Sequence, residues 1–413
     1  MYRVMSLFTG MGGMDCGFAE QVVVHRDSLT CLSDWFVDSA VPTDVTVSDA
    51  AAVEAIKSNP PGFVDLKRLP FEVVFQNDIL PAAKKLAELN GWAHNFSLRD
   101  IRLILDDPKT VLPEADVVIG GFPCQDFSHA GKRQGFDSDR GTLYRAYVEV
   151  VRRVKPKVFV AENVQGLLTM EGNPIQTIIG DFSAVGYTVK YQLVKCEEFG
   201  IPQTRHRVII IGVRSDLISA TVAPSEVTPS VAPPEPAQST APSEYFTGEW
   251  NMITENKVRC SIDRYFRHLE EPDRSPDYAQ QSYSKAKRLQ KGQGQSAIRM
   301  DGFAPTMRAE HHGNIEFRRI KQNASNATTD SNVSNVSPAT TDTTDSTSES
   351  AKIERRLTVR EAALIQTFPP GCRLTDKPKP NSMAYKPIGN AVPPFLGYLV
   401  ARKVHDILQH IVM

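Results

Sequence analysis

Along residues 1–213 short apolar runs alternate with stretches of helical periodicity, and this alternation limits the fold more than any other feature of the chain. Val4–Phe8 is the first run, and it ends in the glycine turn Thr9-Gly10-Met11-Gly12-Gly13. Val73–Phe75, Asp116–Gly120, Val158–Ala161 and Val208–Val213 follow, with helical spacing over Pro81–Leu89 and Leu143–Val154. Buried-type strands separated by helices predict an α/β fold. Its sheet is doubly wound and mostly parallel, and its ligands sit at the carboxyl ends of the strands.

Beyond residue 213 the composition changes. Residues 218–244 are rich in Pro, Ser, Thr and Ala, and residues 321–350 are almost entirely Ser, Thr, Asn, Asp and Ala. The second stretch cannot bury enough apolar surface to fold, so a disordered insert is expected there. Residues 356–413 regain globular composition, with helices expected at Val359–Thr367 and Pro394–His410. An irregular stretch over about 26–70 reads as an insertion in the first half. The division expected is therefore 1–213, 214–355 and 356–413.

With 41% hydrophobic and 23% charged residues in 413, the composition is that of a soluble globular protein. There is no bilayer-length apolar run and no signal-peptide pattern, so a cytoplasmic protein is expected. The net charge of −1 does not announce a nucleic-acid binder, but phosphate contacts need a local basic surface rather than a basic average. Six cysteines without a CxxC pair argue against a zinc site or a disulfide framework, and make a lone reactive thiol worth seeking. His311-His312 is not read as a metal site, because adjacent histidines point apart and no third ligand is evident.

Four segments carry chemistry. In Gly120-Gly121-Phe122-Pro123-Cys124, a cysteine follows a strand end, where neighbouring charges can activate a thiolate nucleophile. Glu162, in Ala161-Glu162-Asn163-Val164, reads as lying just past another strand, placed to hydrogen-bond or protonate a ring nitrogen across the same crevice. Arg205 and Arg207, in Gln203-Thr204-Arg205-His206-Arg207, share one face of an extended chain and suit phosphate or carbonyl recognition. The glycine turn at Phe8–Gly13 lets backbone approach a ligand, and it needs an acid partner to grip ribose hydroxyls. Asp34 lies at the usual separation but in an irregular context. Asp78 follows a clear strand and is preferred, with 26–70 treated as an insertion. Alone, each segment has a plain structural explanation.

Together and in order they resemble the bacterial DNA (cytosine-5) methyltransferases of the type II restriction–modification kind. Phe8, Gly10, Met11, Gly12 and Gly13 resemble the first cofactor motif, Asp78-Ile79 the ribose-binding acid and its apolar neighbour, and Asp100-Ile101 the pair that holds adenine. Gly121–Ser128 resembles the catalytic Pro-Cys loop, continued by Gly131–Phe136 and Arg140–Leu143. Glu162–Val164 and Gln203–Arg207 resemble the next two motifs, and Arg356–Glu361 and Gly389–Pro394 the last two. Ser6 stands where many relatives carry Asp. The resemblance covers about 1–213 and 355–413. It implies the S-adenosylmethionine-dependent methyltransferase fold with a smaller target-recognition domain, S-adenosyl-L-methionine as cofactor, and double-stranded DNA as substrate.

By the same resemblance Cys124 is the nucleophile, Glu162 and Arg207 hold the base, and Arg205 shapes the pocket. Pro123, Asn390 and Val392 join the cofactor site. Lys132, Arg133 and Arg140 would bind phosphates, and Thr306 and Arg308 would belong to target recognition within 214–355. A monomer, associated with the nucleoid through DNA and served by a cognate restriction endonuclease, completes the expectation. Three alternatives share parts of the pattern. A tRNA cytosine-5 methyltransferase would have a smaller recognition region. A DNA-binding protein without catalysis would not need every catalytic position filled. A nicotinamide-dependent oxidoreductase would leave Cys124 and Glu162 idle.

Overall fold

The apolar runs become the centre of one seven-stranded sheet. Its order is Phe96–Ser97, Phe71–Asn77, Tyr2–Leu7, Val117–Gly120, Val158–Val164, His206–Arg214 and Tyr187–Lys195. The computed structural model describes residues 1–30, 59–123, 141–220, 257–285, 298–309, 317–321, 352–375 and 384–411. The first five strands of that order are parallel, and His206–Arg214 runs antiparallel to both its neighbours. A short connection joins Tyr187–Lys195 to His206–Arg214, and only antiparallel neighbours can be joined so briefly. Tyr187–Lys195 alternates polar with apolar residues at the sheet's edge, and Phe96–Ser97 is a two-residue strand. Neither shows the continuous apolar run that marks the central strands.

Period-two alternation assigns each strand residue to one of two cores. Val4, Val117, Ile119, Val158 and Val160 face one, packed with Met14, Phe18, Leu86 and Phe395 from the helices Gly13–Ala19, Pro81–Leu89 and Pro394–Ile411. Met5, Leu7, Val118, Phe159 and Ala161 face the other, with Ile104, Tyr147 and Phe182 from the helices Ile101–Asp106, Gly141–Val154 and Pro174–Ala184. Helices on both faces make the sheet doubly wound.

The last helix returns to the first. A Cβ on Gly17 would come within 2.3 Å of the Gly397 carbonyl carbon, so the two backbones meet where neither residue has a side chain. Gly13 approaches the Val392 carbonyl equally closely, with a Cβ there only 2.2 Å from the oxygen. Residues 1–30 and 384–411 thus share one packing unit across almost the whole sequence.

Of the expected insertion at 26–70, residues 26–30 and 59–70 are described. Val23–His25 pairs antiparallel with Phe63–Asp65, while Asp34 lies outside the described residues. Ser28 Oγ lies 2.8 Å from Tyr265 Oη, and Asp27 is 3.1 Å from Arg264 Nε. Ile262, Tyr265, Ile298 and Met307 join the first core, so the described part of 257–309 shares its apolar cluster with the sheet. Phe317–Lys321 and Lys352–Arg356 form an antiparallel ribbon; the stretch expected to be disordered lies outside the described residues but for Lys321.

Candidate active site

Where the strand order reverses, between Tyr2–Leu7 and Val117–Gly120, a cavity of about 920 Å³ opens at the carboxyl ends of the strands. That is the switch-point position where doubly wound sheets bind ligands, and the volume is at the large end of the ~300–1,000 Å³ common for small-molecule sites. The segments after Leu7, Asn77, Gly120 and Ala161 line it, joined by Arg205, Arg207, Thr306–Ala309 and Gly389–Val392.

At one end stands the glycine turn. Phe8 has φ 53°, and Gly10 and Gly12 have φ 59° and 86°, so three residues in five hold left-handed backbone that favours glycine. At Phe8 this conformation costs on the order of 1 kcal/mol, and Phe8 lines the cavity. Asp78 secures the turn: its Oδ2 accepts the Gly10 N–H at 2.8 Å and its Oδ1 the Leu80 N–H at 2.8 Å. Burial raises the Asp78 pKa, and those N–H groups oppose the shift. Asp100 caps the helix Ile101–Asp106 by accepting the Arg102 N–H at 2.9 Å and pairs with the Arg102 guanidinium at 2.7 Å, which lowers its pKa.

Ile79 lines this end while 61% exposed, an apolar side chain open to a flat ring. Ile101 is buried at the wall, and Pro123, Asn390 and Val392 also line the cavity. Met11 is fully buried in the first core, and Gly12 and Gly13 shape the turn behind the wall rather than lining it. They set the backbone path that carries Phe8, Thr9 and Gly10 to the cavity.

The other end is built on Val158–Val164 and His206–Arg214. Glu162 lies inside its strand, paired in register with Ile209, and not beyond the strand's end as its polar character suggests. Its Oε1 is 2.7 Å from Arg207 Nε, and both side chains are 12% exposed. A Cβ on Gly121 would stand 2.8 Å from Glu162 Oε2, so the glycine makes room for the carboxylate. Asn163 Nδ2 donates to the Phe122 carbonyl at 3.3 Å, tying this strand to the loop that leads to Cys124. Cys124 itself, with Lys132, Arg133 and Arg140, lies outside the described residues.

Arg205 does something different from Arg207. It is 2% exposed, and its Nη1 donates to the Met307 carbonyl at 3.2 Å and the Gly389 carbonyl at 3.1 Å. Burial, then the neighbouring Arg207, pushes its pKa down to about 9. It acts as a strut between the segment at Met307 and the helix Tyr385–Asn390 at the cavity wall. Gln203 reinforces the strut, accepting the Met307 N–H at 2.8 Å and donating to Gln366 Oε1 at 2.7 Å. Gln366 in turn donates to the carbonyls of Ile388 and Ala391. Thr306 Oγ1 donates to the Thr204 carbonyl at 2.9 Å, and Thr306 and Arg308 line the cavity beside Arg205 and Arg207. Sequence spacing gave no hint of Gln366 or of the Gly121–Glu162 fit.

The chemistry of this donor set fits the methyl donor. Asp78 keeps lone pairs for hydroxyls, Phe8 and Ile79 offer apolar contact to a purine, and the Asp78 carboxylate suits a cationic ligand. The four cysteines described, Cys16, Cys196, Cys260 and Cys372, are buried. Burial pushes their thiols up, Cys196 and Cys372 to about 12 and Cys260 to about 11, which makes them poor nucleophiles.

A switch-point cavity with an acid-anchored glycine turn at one end and a Glu–Arg pair at the other is the site of a doubly wound α/β ligand-binding protein. Residues 62–406 match the C-5 cytosine-specific DNA methylase family, and the chain belongs to it. It is a DNA (cytosine-5) methyltransferase, and S-adenosylmethionine is its methyl donor. It is 31% identical over 422 residues to the type II methyltransferase M.BspRI of Lysinibacillus sphaericus, covering 98% of this chain and 81% of that protein. With M.BsuRI of Bacillus subtilis the identity is 27% over 421 residues, covering 97% and 79%. Among solved structures, the Entamoeba histolytica methyltransferase EhMeth superposes with a TM-score of 0.57 at 14% identity, covering 99% of each chain. Dnmt2 of S. pombe gives 0.54 at 15%, covering 98% of this chain and 99% of that one. These two likenesses bear on the fold alone. No helix among the described residues is long and apolar enough to cross a membrane.

Proposed function

We propose that the chain methylates C5 of a cytosine rotated out of duplex DNA at a specific sequence, through a transient bond from Cys124 to C6, within a restriction–modification system. The observation that carries this reading is the Glu162–Arg207 pair at 2.7 Å, which lines the same cavity as the cofactor turn and Pro123, the residue bonded to Cys124. With the four described thiols buried, Cys31 and Cys124 remain for chemistry, and only Cys124 follows a cavity residue.

Cytosine C5 is a weak nucleophile. The Cys124 thiolate adds to C6, and the displaced electron pair reaches N3, which receives the proton that the Glu162 carboxylate takes up from solvent as the base enters. The ring is then an enamine with electron density on C5. Arg207 binds the O2 carbonyl, and Arg205 keeps the wall in place through Met307 and Gly389. When bound, S-adenosylmethionine supplies an electrophilic methyl group. After C5 has accepted it, a base removes the C5 proton, the S–C6 bond breaks, and Glu162 recovers its proton from N3. A stacked base cannot reach such a cavity, so the target leaves the helix at a cost of a few kcal/mol. Residues 214–355 form the target-recognition region and 356–413 complete the catalytic unit. Lys132, Arg133 and Arg140 hold phosphates, and the working environment is the bacterial nucleoid.

Expressing the chain in a methylase-free bacterium and sequencing its bisulfite-treated DNA tests the proposal. One recurring sequence bearing 5-methylcytosine is expected. Unmodified DNA, or methylation confined to tRNA, would overturn it.

A further inference from the structure

Behind the cofactor turn lies an acid to which the reaction above gives no part. Asp15 is 2% exposed on the helix Gly13–Ala19, among residues that are otherwise apolar or glycine. Ser6 Oγ donates to its Oδ2 at 2.9 Å and Gln76 Nε2 to its Oδ1 at 2.8 Å, and Thr9 Oγ1 lies 2.8 Å from Ser6 Oγ. Ser6, Thr9 and Asp15 all line the cavity, so carboxylate, strand end and turn form one unit in its wall.

The charges nearby do little to neutralise it, the pull of His94 being the smallest influence on its pKa. His94, from the facing loop, is 3.0 Å from Glu20, and Glu20 also meets Arg68. On the C-terminal helix packed against Gly13–Ala19, Lys403 pairs with Asp406 and Arg402 acts on Tyr398. Asp78, the second carboxylate of this end, takes backbone N–H groups and not a cation, whereas Asp100 has Arg102. Of the cavity's other cations, Arg207 pairs with Glu162 and Arg205 holds carbonyls, while Arg308 and Lys386 line the wall.

We propose that Asp15 is a positioning residue that anchors the cofactor turn and makes the cavity prefer the cationic methyl donor to its demethylated product, which carries one positive charge fewer. The inference rests on the cofactor reading. Burial pushes the Asp15 pKa up to about 6. The carboxylate is therefore mostly ionised at neutral pH, and protonation competes with that form as pH falls toward 6. A cationic ligand favours its ionised form, so donor binding releases protons near pH 6 and the product releases fewer.

Calorimetric titration of the full chain with S-adenosylmethionine and with S-adenosylhomocysteine, from pH 5 to pH 8 in buffers of different ionisation enthalpy, reads both effects. The donor-to-product affinity ratio should rise about tenfold across that range, with proton release on donor binding near pH 6. Asp15→Asn should fix the ratio at its low-pH value and abolish the release. Ser6→Asp combined with Asp15→Ser should restore both, since Ser6 Oγ and Asp15 Oδ2 are 2.9 Å apart. A wild-type ratio flat with pH, or an unchanged ratio and release in Asp15→Asn, would overturn the role of Asp15 alone. A wild-type chain that binds neither ligand would overturn it together with the cofactor assignment.

Discussion

Glu162 owes its position to a residue with no side chain. Gly121 leaves the space into which the carboxylate turns, and Arg207 holds it there from the neighbouring strand. Gly121→Ala should push the carboxylate off Arg207 and lower kcat by about 100-fold, the order of loss from an ångström of misplacement. Donor affinity and melting temperature should stay near wild type; a steady-state assay beside a thermal melt checks both. Asp15 has a consequence for stability as well. Its folded pKa is raised from 3.8 to about 6, so the folded chain binds more protons than the unfolded one between those values. Its contribution to stability therefore falls as pH rises from about 4 to about 6 and stays low above that, a cost of up to ~3 kcal/mol. Donor-free Asp15→Asn should melt above wild type at pH 7 and lose that advantage by pH 4. An advantage that is the same at both pH values would contradict the burial of an ionised acid.

At the level of elements, much of the fold was legible because the central strands are apolar on both faces, and helices at Pro81–Leu89 and Pro394–Ile411 announce themselves by periodicity. The misreadings share a cause. Glu162–Val164 looks like a strand's exit because polar residues interrupt the apolar run, yet the ladder to Arg207–Ile209 continues through them as they turn toward the cavity. Tyr187–Lys195 escapes notice because an edge strand buries little and keeps polar residues. Asp15 was visible only as a charge in the apolar stretch Gly13–Ala19, and its partner Gln76 comes from another strand. The bond between Gln203 and Gln366 is likewise invisible to spacing, because the two residues meet only in the folded chain. Gly17 and Gly397 make an element-scale test. Gly17→Ala places a methyl 2.3 Å from the facing backbone and must part the two helices. A loss of about 1–3 kcal/mol is expected in denaturant melts, as for other overpacked cores. An unchanged midpoint would mean that the two backbones are not so close.

For the whole molecule, what matters is that distant segments converge. Phe8–Gly10 near the first residue, the Glu–Arg pair in the middle, Thr306–Arg308 and Gly389–Val392 near the end all line one cavity, although 1–30 and 384–411 are the sequence's extremes. That convergence explains why each motif is weak alone and specific in company. A net charge of −1 also leaves DNA affinity to local basic groups, so binding should weaken steeply with salt. The most direct measurement is covalent capture. The full chain, S-adenosylmethionine and random-sequence duplex DNA carrying 5-fluorocytosine are incubated, and the protein is digested for mass spectrometry. Fluorine at C5 blocks the final elimination, so a donor-dependent nucleotide adduct is predicted on the peptide that contains Cys124. Methylation of ordinary DNA with no adduct, or an adduct on Cys31 instead, would contradict the proposed chemistry.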